Sequence, residues 1–317
     1  MMKMNVSILP LLMALSVGSA VAADLPSRKA SPVPPPPPPS SWTGLYVGLN
    51  AGYAWGENNA LTFDNPLAFV NPAATQIGQT AALAAAASGT NTYYPASQGG
   101  FIGGGQVGYN YQFGGNFVVG LETDFQGLAS GGVSRTGGSV APWGDYFSSG
   151  VTTTAQSVSG SLDYLGTVRG RVGYLALPQL LVYGTGGLAY GGVQAKAAML
   201  QADNPAPYTT NSAWAAAGNY SDTRVGWTAG GGVEYMFMDN LSVKIEYLYY
   251  NLGSTTLGLG ATGRIYNANA TYPNNMAGQW HTLLAPSLST RFSGNLVRFG
   301  VNYHFNWSAP APVLAKY

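Results

Sequence analysis

Residues 241–250 read LSVKIEYLYY. In an extended chain, Leu241, Val243, Ile245, Tyr247 and Tyr249 share one face, with Lys244 and Glu246 on the other, because successive side chains of a strand alternate. The two charges are out of phase with the apolar residues. A lipid-facing Arg or Lys at a bilayer midplane costs about 2–4 kcal/mol, so a strand in a membrane barrel must send its charges to the lumen. This segment obeys that rule.

The same period of two recurs in eight runs, near residues 44–56, 99–113, 116–128, 158–175, 180–193, 223–237, 241–254 and 291–305. Each exceeds the roughly 9–11 residues that a tilted transmembrane strand requires. Residues 44–56 place Leu45, Val47, Leu49, Ala51, Tyr53 and Trp55 on one face and Tyr46, Gly48, Asn50, Gly52 and Ala54 on the other. The charges follow the phase: Glu122 and Asp124 oppose Phe117, Val119, Leu121 and Phe125. Asp163, Arg169 and Arg171 oppose Leu162, Tyr164, Val168, Val172 and Tyr174. Arg224 and Glu234 oppose Val225, Trp227, Val233, Tyr235 and Phe237, and Arg298 opposes Val297, Phe299, Val301, Tyr303 and Phe305. The lumen set is Glu122, Asp124, Asp163, Arg169, Arg171, Arg224, Glu234, Lys244, Glu246 and Arg298, five acids and five bases. Arg291 alone is out of phase and is expected at the outer rim, before regular pairing begins.

The connections alternate between tight turns, at Gly114-Gly115, residues 176–179 and 238–240, and long stretches at 57–98, 129–157, 194–222 and 255–290. Short turns on one side and long loops on the other are the topology of an outer-membrane barrel. The expected fold is therefore all-β: an eight-stranded antiparallel transmembrane β-barrel with short periplasmic turns and long extracellular loops. Ten strands stay open if residues 61–70 add a hairpin. Aromatics at Tyr109, Tyr111, Phe113, Tyr235, Phe237, Tyr303 and Phe305 fit a girdle at the periplasmic interface. An eight-stranded lumen is only wide enough for side chains to fill it, and buried charges must pair, so the interior is expected to be a polar plug. The same residues lining a narrow ion path, as in a small diffusion porin, are the alternative.

Composition agrees. The 317 residues carry a net charge of +1, 8% charged residues, 44 Gly, 21 Tyr and no Cys. An ordinary soluble domain has about 25% charged residues. The balance gives no basic excess for nucleic acid, and the absence of cysteine removes disulfides and thiolate metal sites. No segment after residue 22 offers the roughly 20 successive apolar residues of a membrane helix.

Lys3, the apolar VSILPLLMALSVGSA and Ala20-Val21-Ala22 form a signal peptide, 1–22, with cleavage before Ala23-Asp24. Residues 23–41 are a Pro-rich periplasmic spacer whose run Pro34–Pro39 favours a polyproline II rod. The barrel then spans 42–305, with a periplasmic extension at 306–317.

Catalytic signals are weak. The two histidines, His281 in the last long loop and His304 on the lumen face of the last strand, stand in no triad or metal spacing. An enzyme site on the loops around His281 is the remote alternative to a non-enzymatic barrel. Gly103–Gly108 and Gly184–Ala189 match dinucleotide-binding spacings, but both lie within alternating strands with no helix after them. Ala81–Ala87 reads as a short helix or as coil. No metal or cofactor is expected.

The segments ADLPSRKA (23–30), WTGLYVGLNAGYAWG (42–56), DYLGTVRGRVGY (163–174), LVYGTGGLAYG (181–191), KIEYLYYNLG (244–253) and LVRFGVNYHF (296–305), together with the Pro-rich spacer, resemble the small outer-membrane immunogenic proteins of rhizobia and their relatives, a branch of the OmpA-like, porin-family eight-stranded barrels. The resemblance spans residues 42–305 and implies an integral protein of the Gram-negative outer membrane. It also implies a surface-exposed antigenic face, a role in envelope integrity, and contact with lipid and lipopolysaccharide. Arg298, Gly300, Tyr303 and Phe305 resemble the C-terminal signal read by the barrel-assembly machinery, although here twelve residues follow Phe305. Some relatives are tethered to peptidoglycan through a mature Ala-Asp start, which Ala23 and Asp24 match. Haem binding is proposed for some relatives, and no residue here singles it out.

Overall fold

The computed structural model describes residues 42–57, 59–65, 67–70, 91–96, 99–129, 132–144, 149–206, 212–260, 262–265 and 280–305. The signal peptide, the spacer, Ala81–Ala87 and the extension at 306–317 lie outside the described residues. The strands are β1 (Gly44–Gly56), β2 (Leu61–Asp64), β3 (Leu67–Val70), β4 (Thr92–Tyr94), β5 (Gly99–Phe113), β6 (Phe117–Ala129), β7 (Val133–Gly144), β8 (Ser149–Leu177), β9 (Leu180–Ala206), β10 (Ser212–Met238), β11 (Leu241–Gly258), β12 (Thr262–Ile265), β13 (Trp280–Leu284) and β14 (Ser287–Phe305).

Eight of them close a ring in the order β1-β5-β6-β8-β9-β10-β11-β14, with β14 returning to β1 from Leu45 opposite Phe305 to Gly56 opposite Gly294. Closure leaves the ring no free edge, the only arrangement of strands that satisfies every backbone group in lipid. The ten-strand alternative fails: β2 pairs with β14 and β4, and β3 pairs with β13, so residues 61–70 form no hairpin and add nothing to the ring. The tight turns are Gly114–Asn116, Pro178-Gln179 and Asp239-Asn240. Gly114 and Gly115 have φ of 59° and 82°, a region open to glycine at little cost.

The outer face carries the apolar belt. Leu49, Leu121, Val172, Val233, Ile245 and Phe299 are exposed along its middle. Tyr109, Tyr111, Phe113, Phe117, Tyr174, Tyr235, Phe237 and Tyr303 are exposed at the turn end, and Tyr53, Trp55, Phe101 and Trp227 at the other. The second girdle is absent from the expectations above.

Two of the expected long loops are largely strand. β8 and β9 pair without interruption in sequence from the turn up to Ser149 opposite Ala206, apart from bulges at Leu162/Tyr164 and Leu175/Leu177. β10 stays on β9 to Ser212, and β7 adds to β8. A four-stranded extension thus continues the wall beyond the upper girdle, where 129–157 and 194–222 were expected to be loops. The physical reason is composition. Apart from Val140, Val151 and Leu200, outward positions there are small or polar, among them Thr153, Ala155, Ala198, Ala215 and Ala217, so the apolar contrast that marks a lipid-facing strand is diluted. Arg291 is likewise not before the onset of pairing; it lies exposed within β14, opposite Ser254 of β11.

The interior is layered. At the periplasmic end Trp42, Val118, Leu175, Leu181, Tyr183 and Met236 pack together. The charged residues come next. Above them Ala54, Ile102, Leu162, Leu165, Leu248, Leu252, Phe292 and Leu296 form an apolar plug. A further cluster, including Leu61, Phe63, Val158, Met199 and Leu288, fills the base of the extension. The polar plug expected to fill most of the lumen is thus one charged layer with apolar clusters on either side.

Lumen-facing glycines make that layer possible. A Cβ on Gly300 would meet Lys244 Cγ at 3.1 Å, and one on Gly120 would meet Arg171 Cγ at 3.2 Å. A Cβ on Gly108 would reach the carbonyl of Leu121 at 2.7 Å and the ring of Tyr46. Gly108→Val is expected to push Tyr46 off Glu122 and to destabilise the barrel by about 1–3 kcal/mol through overpacking. Gly127→Val, on the outer face with nothing within 4 Å of its Cβ, is the control and should leave the urea midpoint in lipid unchanged.

Candidate functional site

Strand alternation delivers the charges in pairs. β6 presents Glu122 and Asp124, β8 presents Arg169 and Arg171, and β11 presents Lys244 and Glu246; β10 and β14 each add one, Glu234 and Arg298. All eight are buried, four cations against four carboxylates. Arg169 is the central clamp. Its Nη2 donates to Glu122 at 2.5 Å and Asp124 at 2.8 Å, its Nη1 to Glu246 at 3.0 Å and its Nε to Thr167 at 2.8 Å. Arg298 crosses from the other wall, donating to Glu246 at 2.7 Å through Nε and to Asp124 at 2.9 Å through Nη2. Lys244 Nζ lies 2.9 Å from both oxygens of Glu122. Arg171 donates to Glu234 at 2.7 Å, and its guanidinium carbon lies 4.0 Å from the centroid of the Tyr183 ring.

Glu122 is the hub. Its carboxylate lies within 2.5–3.7 Å of Arg169, Lys244, Arg298 and Arg171. Taking one ion out of water costs several kcal/mol, which is recovered only with close partners and satisfied lone pairs. Neutral groups complete that satisfaction. Tyr46 donates to Glu122 at 2.6 Å and Tyr183 to Glu246 at 3.0 Å. Ser242 and Asn302 donate to Glu234 at 2.6 and 2.7 Å, and Ser242 also meets His304 at 2.8 Å. Sequence reasoning put Tyr46 and His304 on the inner face without giving them this role. Their signal was the pairing demand of the charges beside them.

Two of the ten expected lumen charges stand elsewhere. Asp163 is exposed on the outer face and accepts from Ser161 at 3.0 Å and Gln194 at 2.6 Å. A β-bulge between Leu162 and Tyr164 inserts one residue, so Leu162 turns inward and Asp163 outward. Arg224 keeps the inward phase but lies half-exposed near the register shift in β11, where Nη2 donates to the Ser254 carbonyl at 2.8 Å. The five-and-five set is thus four and four.

Of the residues expected to signal insertion, Arg298 lies in the charged layer, Gly300 faces Lys244, Tyr303 is exposed in the lower girdle, and Phe305 is paired with Leu45 at the end of β14. Trp42 was not singled out by sequence. It is fully buried, donates from Nε1 to the Pro178 carbonyl at 3.0 Å, and meets His304 edge-on at 5.7 Å. His281 lies in β13, and its side chain is outside the described residues. Among the described residues no group of three or more His, Cys, Asp or Glu is placed to hold a metal.

The model of the family described as outer membrane protein beta-barrel domain matches residues 8–305. The chain is 37% identical to the 31 kDa outer-membrane immunogenic protein of Brucella melitensis biotype 1 over 253 residues, 79% of this chain and 88% of that protein. It is 34% identical to the 22 kDa outer membrane protein of Rhizobium leguminosarum bv. viciae over 171 residues, 53% and 62% of the two chains. The crystal structure of the outer membrane protein OprG from Pseudomonas aeruginosa aligns over 83% of this chain and 97% of its own, at 11% identity and a TM-score of 0.35. With a ring of eight strands, an apolar outer belt and a family model covering nearly the whole sequence, the chain belongs to the outer membrane protein β-barrel family and is an integral protein of the Gram-negative outer membrane.

Proposed function

We propose that the protein is a non-conducting, non-enzymatic structural barrel of the envelope, with its surface role carried by the region beyond the upper girdle. The observation that carries this reading is the sealed interior. Arg169 and Arg298 tie β8 and β14 to carboxylates on β6 and β11, and apolar clusters lie above and below them. An ion entering this lumen would have to displace paired charges and cross apolar layers, each at a cost of several kcal/mol. Proteoliposomes carrying the folded protein should swell in small sugars no faster than empty liposomes. Swelling that falls with increasing sugar size would replace this reading with a diffusion porin.

The partners follow from the same reading. The outer belt takes membrane lipid and lipopolysaccharide. Arg298, Gly300, Tyr303 and Phe305 serve as the insertion signal for the barrel-assembly machinery, supported by their place on the last strand of the ring. Ala23, released by cleavage before Ala23-Asp24, tethers the protein to peptidoglycan. The match of Ala23-Asp24 to the start of tethered relatives supports this, and the Pro-rich spacer gives the reach. Mass spectrometry of muramidase-digested envelopes should recover Ala23 linked to a muropeptide. Recovery of free Ala23 alone would remove the tether.

A further inference from the structure

Of the buried side-chain atoms around the charged layer that lack a hydrogen-bond partner, Arg171 Nε and both amide atoms of Asn110 lie toward the periplasmic end, and three lie on the opposite side: Asn50 Oδ1, Gln126 Oε1 and Arg298 Nη1. The register places them together. Asn50, Gly104 and Gln126 stand in one row across β1, β5 and β6. Arg298 is opposite Gly52, the next inward position of β1. Its guanidinium reaches from β14 to Asp124 on β6, so it passes over β1 and β5, where Gly52 and Gly104 present no side chain.

The donor or acceptor character of each atom is fixed by its neighbours. Glu234, paired with Arg171, only accepts, so Asn302 must turn its Nδ2 toward it. Asn302 Oδ1 then accepts from Gln106 Nε2, and Gln106 Oε1 accepts from Asn50 Nδ2 at 3.2 Å. The oxygen of Asn50 is left as a free acceptor. Gln126 gives its Nε2 to the carboxylate of Asp124 at 3.0 Å, which leaves Oε1 as a second acceptor. Arg298 Nη1 is a donor only. Turning over the Asn50 amide would set its oxygen against Gln106 Oε1, and turning over the Gln126 amide would set its oxygen against the Asp124 carboxylate.

We propose that these three atoms hold one ordered water molecule, locked between the charged layer and the apolar plug above it. Water matches the set: it donates to Asn50 Oδ1 and Gln126 Oε1 and accepts from Arg298 Nη1, three bonds of the kind that buried waters make. A metal cation would face the guanidinium, and an anion would face two carbonyl oxygens. The plug seals the site from above with Ile102, Leu165 and Leu296, so the water exchanges only when the barrel opens.

A crystal structure of the intact protein at a resolution that shows solvent should place one oxygen within about 2.7–3.2 Å of all three atoms. After a bromide soak, anomalous density should be absent there. Asn50→Leu and Gln126→Leu should each lower the folded-to-unfolded ratio about tenfold, with the double variant falling well short of the hundredfold product because both remove the same bridge. Bromide at the site, direct contact of either amide oxygen with Arg298, or strictly additive variants would overturn the proposal.

Discussion

Glu122→Gln is expected to cost about 3–5 kcal/mol of unfolding free energy, the loss that follows when one partner of a buried ion network is removed. Glutamine keeps the shape of the side chain but leaves four buried cations facing three carboxylates. Lys244 suffers most, because both of its 2.9 Å contacts are to this carboxylate. The Tyr46 hydroxyl also loses a charged acceptor. Urea unfolding in lipid vesicles, followed by tryptophan fluorescence, measures the change. Lys244→Met in the Glu122→Gln background should cost less than it does alone, since the ammonium has already lost its nearest counter-charge and keeps only Glu246 at 4.0 Å, and the coupling should exceed about 1 kcal/mol. A change below about 1 kcal/mol for Glu122→Gln, with no coupling, would mean that water already reaches the layer.

Trp42→Ala is the second large effect. Truncating a buried Trp typically costs about 3–5 kcal/mol, and here the indole also closes the periplasmic end of the lumen over His304. The variant should therefore lose stability and, while folded, expose His304 to diethyl pyrocarbonate, which the parent protein should resist. Trp42→Phe keeps most of the packing but loses the bond to the Pro178 carbonyl, so it should cost about 1 kcal/mol and keep His304 protected. A folded Trp42→Ala barrel with His304 still unreactive would show that the end is closed by other residues.

The ring was legible in the sequence because lipid imposes a hard rule on its strands. Outward positions must be apolar, so the phase of 241–250 could be read directly and extended to the other runs. The rule stops where the lipid stops. Beyond the upper girdle β8, β9 and β10 keep pairing through Ala, Thr and Ser, and periodicity gave no warning. A bulge is also invisible to a count by twos, which is why Asp163 was assigned to the lumen and lies outside it. The charged layer was found because isolated charges stand out in a chain with so few. The apolar plug was missed because Ile102, Leu165, Leu248 and Leu296 interrupt the polar inner face at positions where alternation alone predicts polar residues. Trp42 precedes the first strand and carries no periodic signal; only the fold reveals that it covers the lumen.

Single-channel recording of the purified, folded protein in a planar bilayer tests most directly whether the lumen is closed at rest. The expected record is silence, or rare brief flickers, for the parent protein. Steady openings of one defined size would contradict it, because a stable conductance requires a continuous hydrated path through the layer that Arg169, Arg298 and Glu122 hold shut.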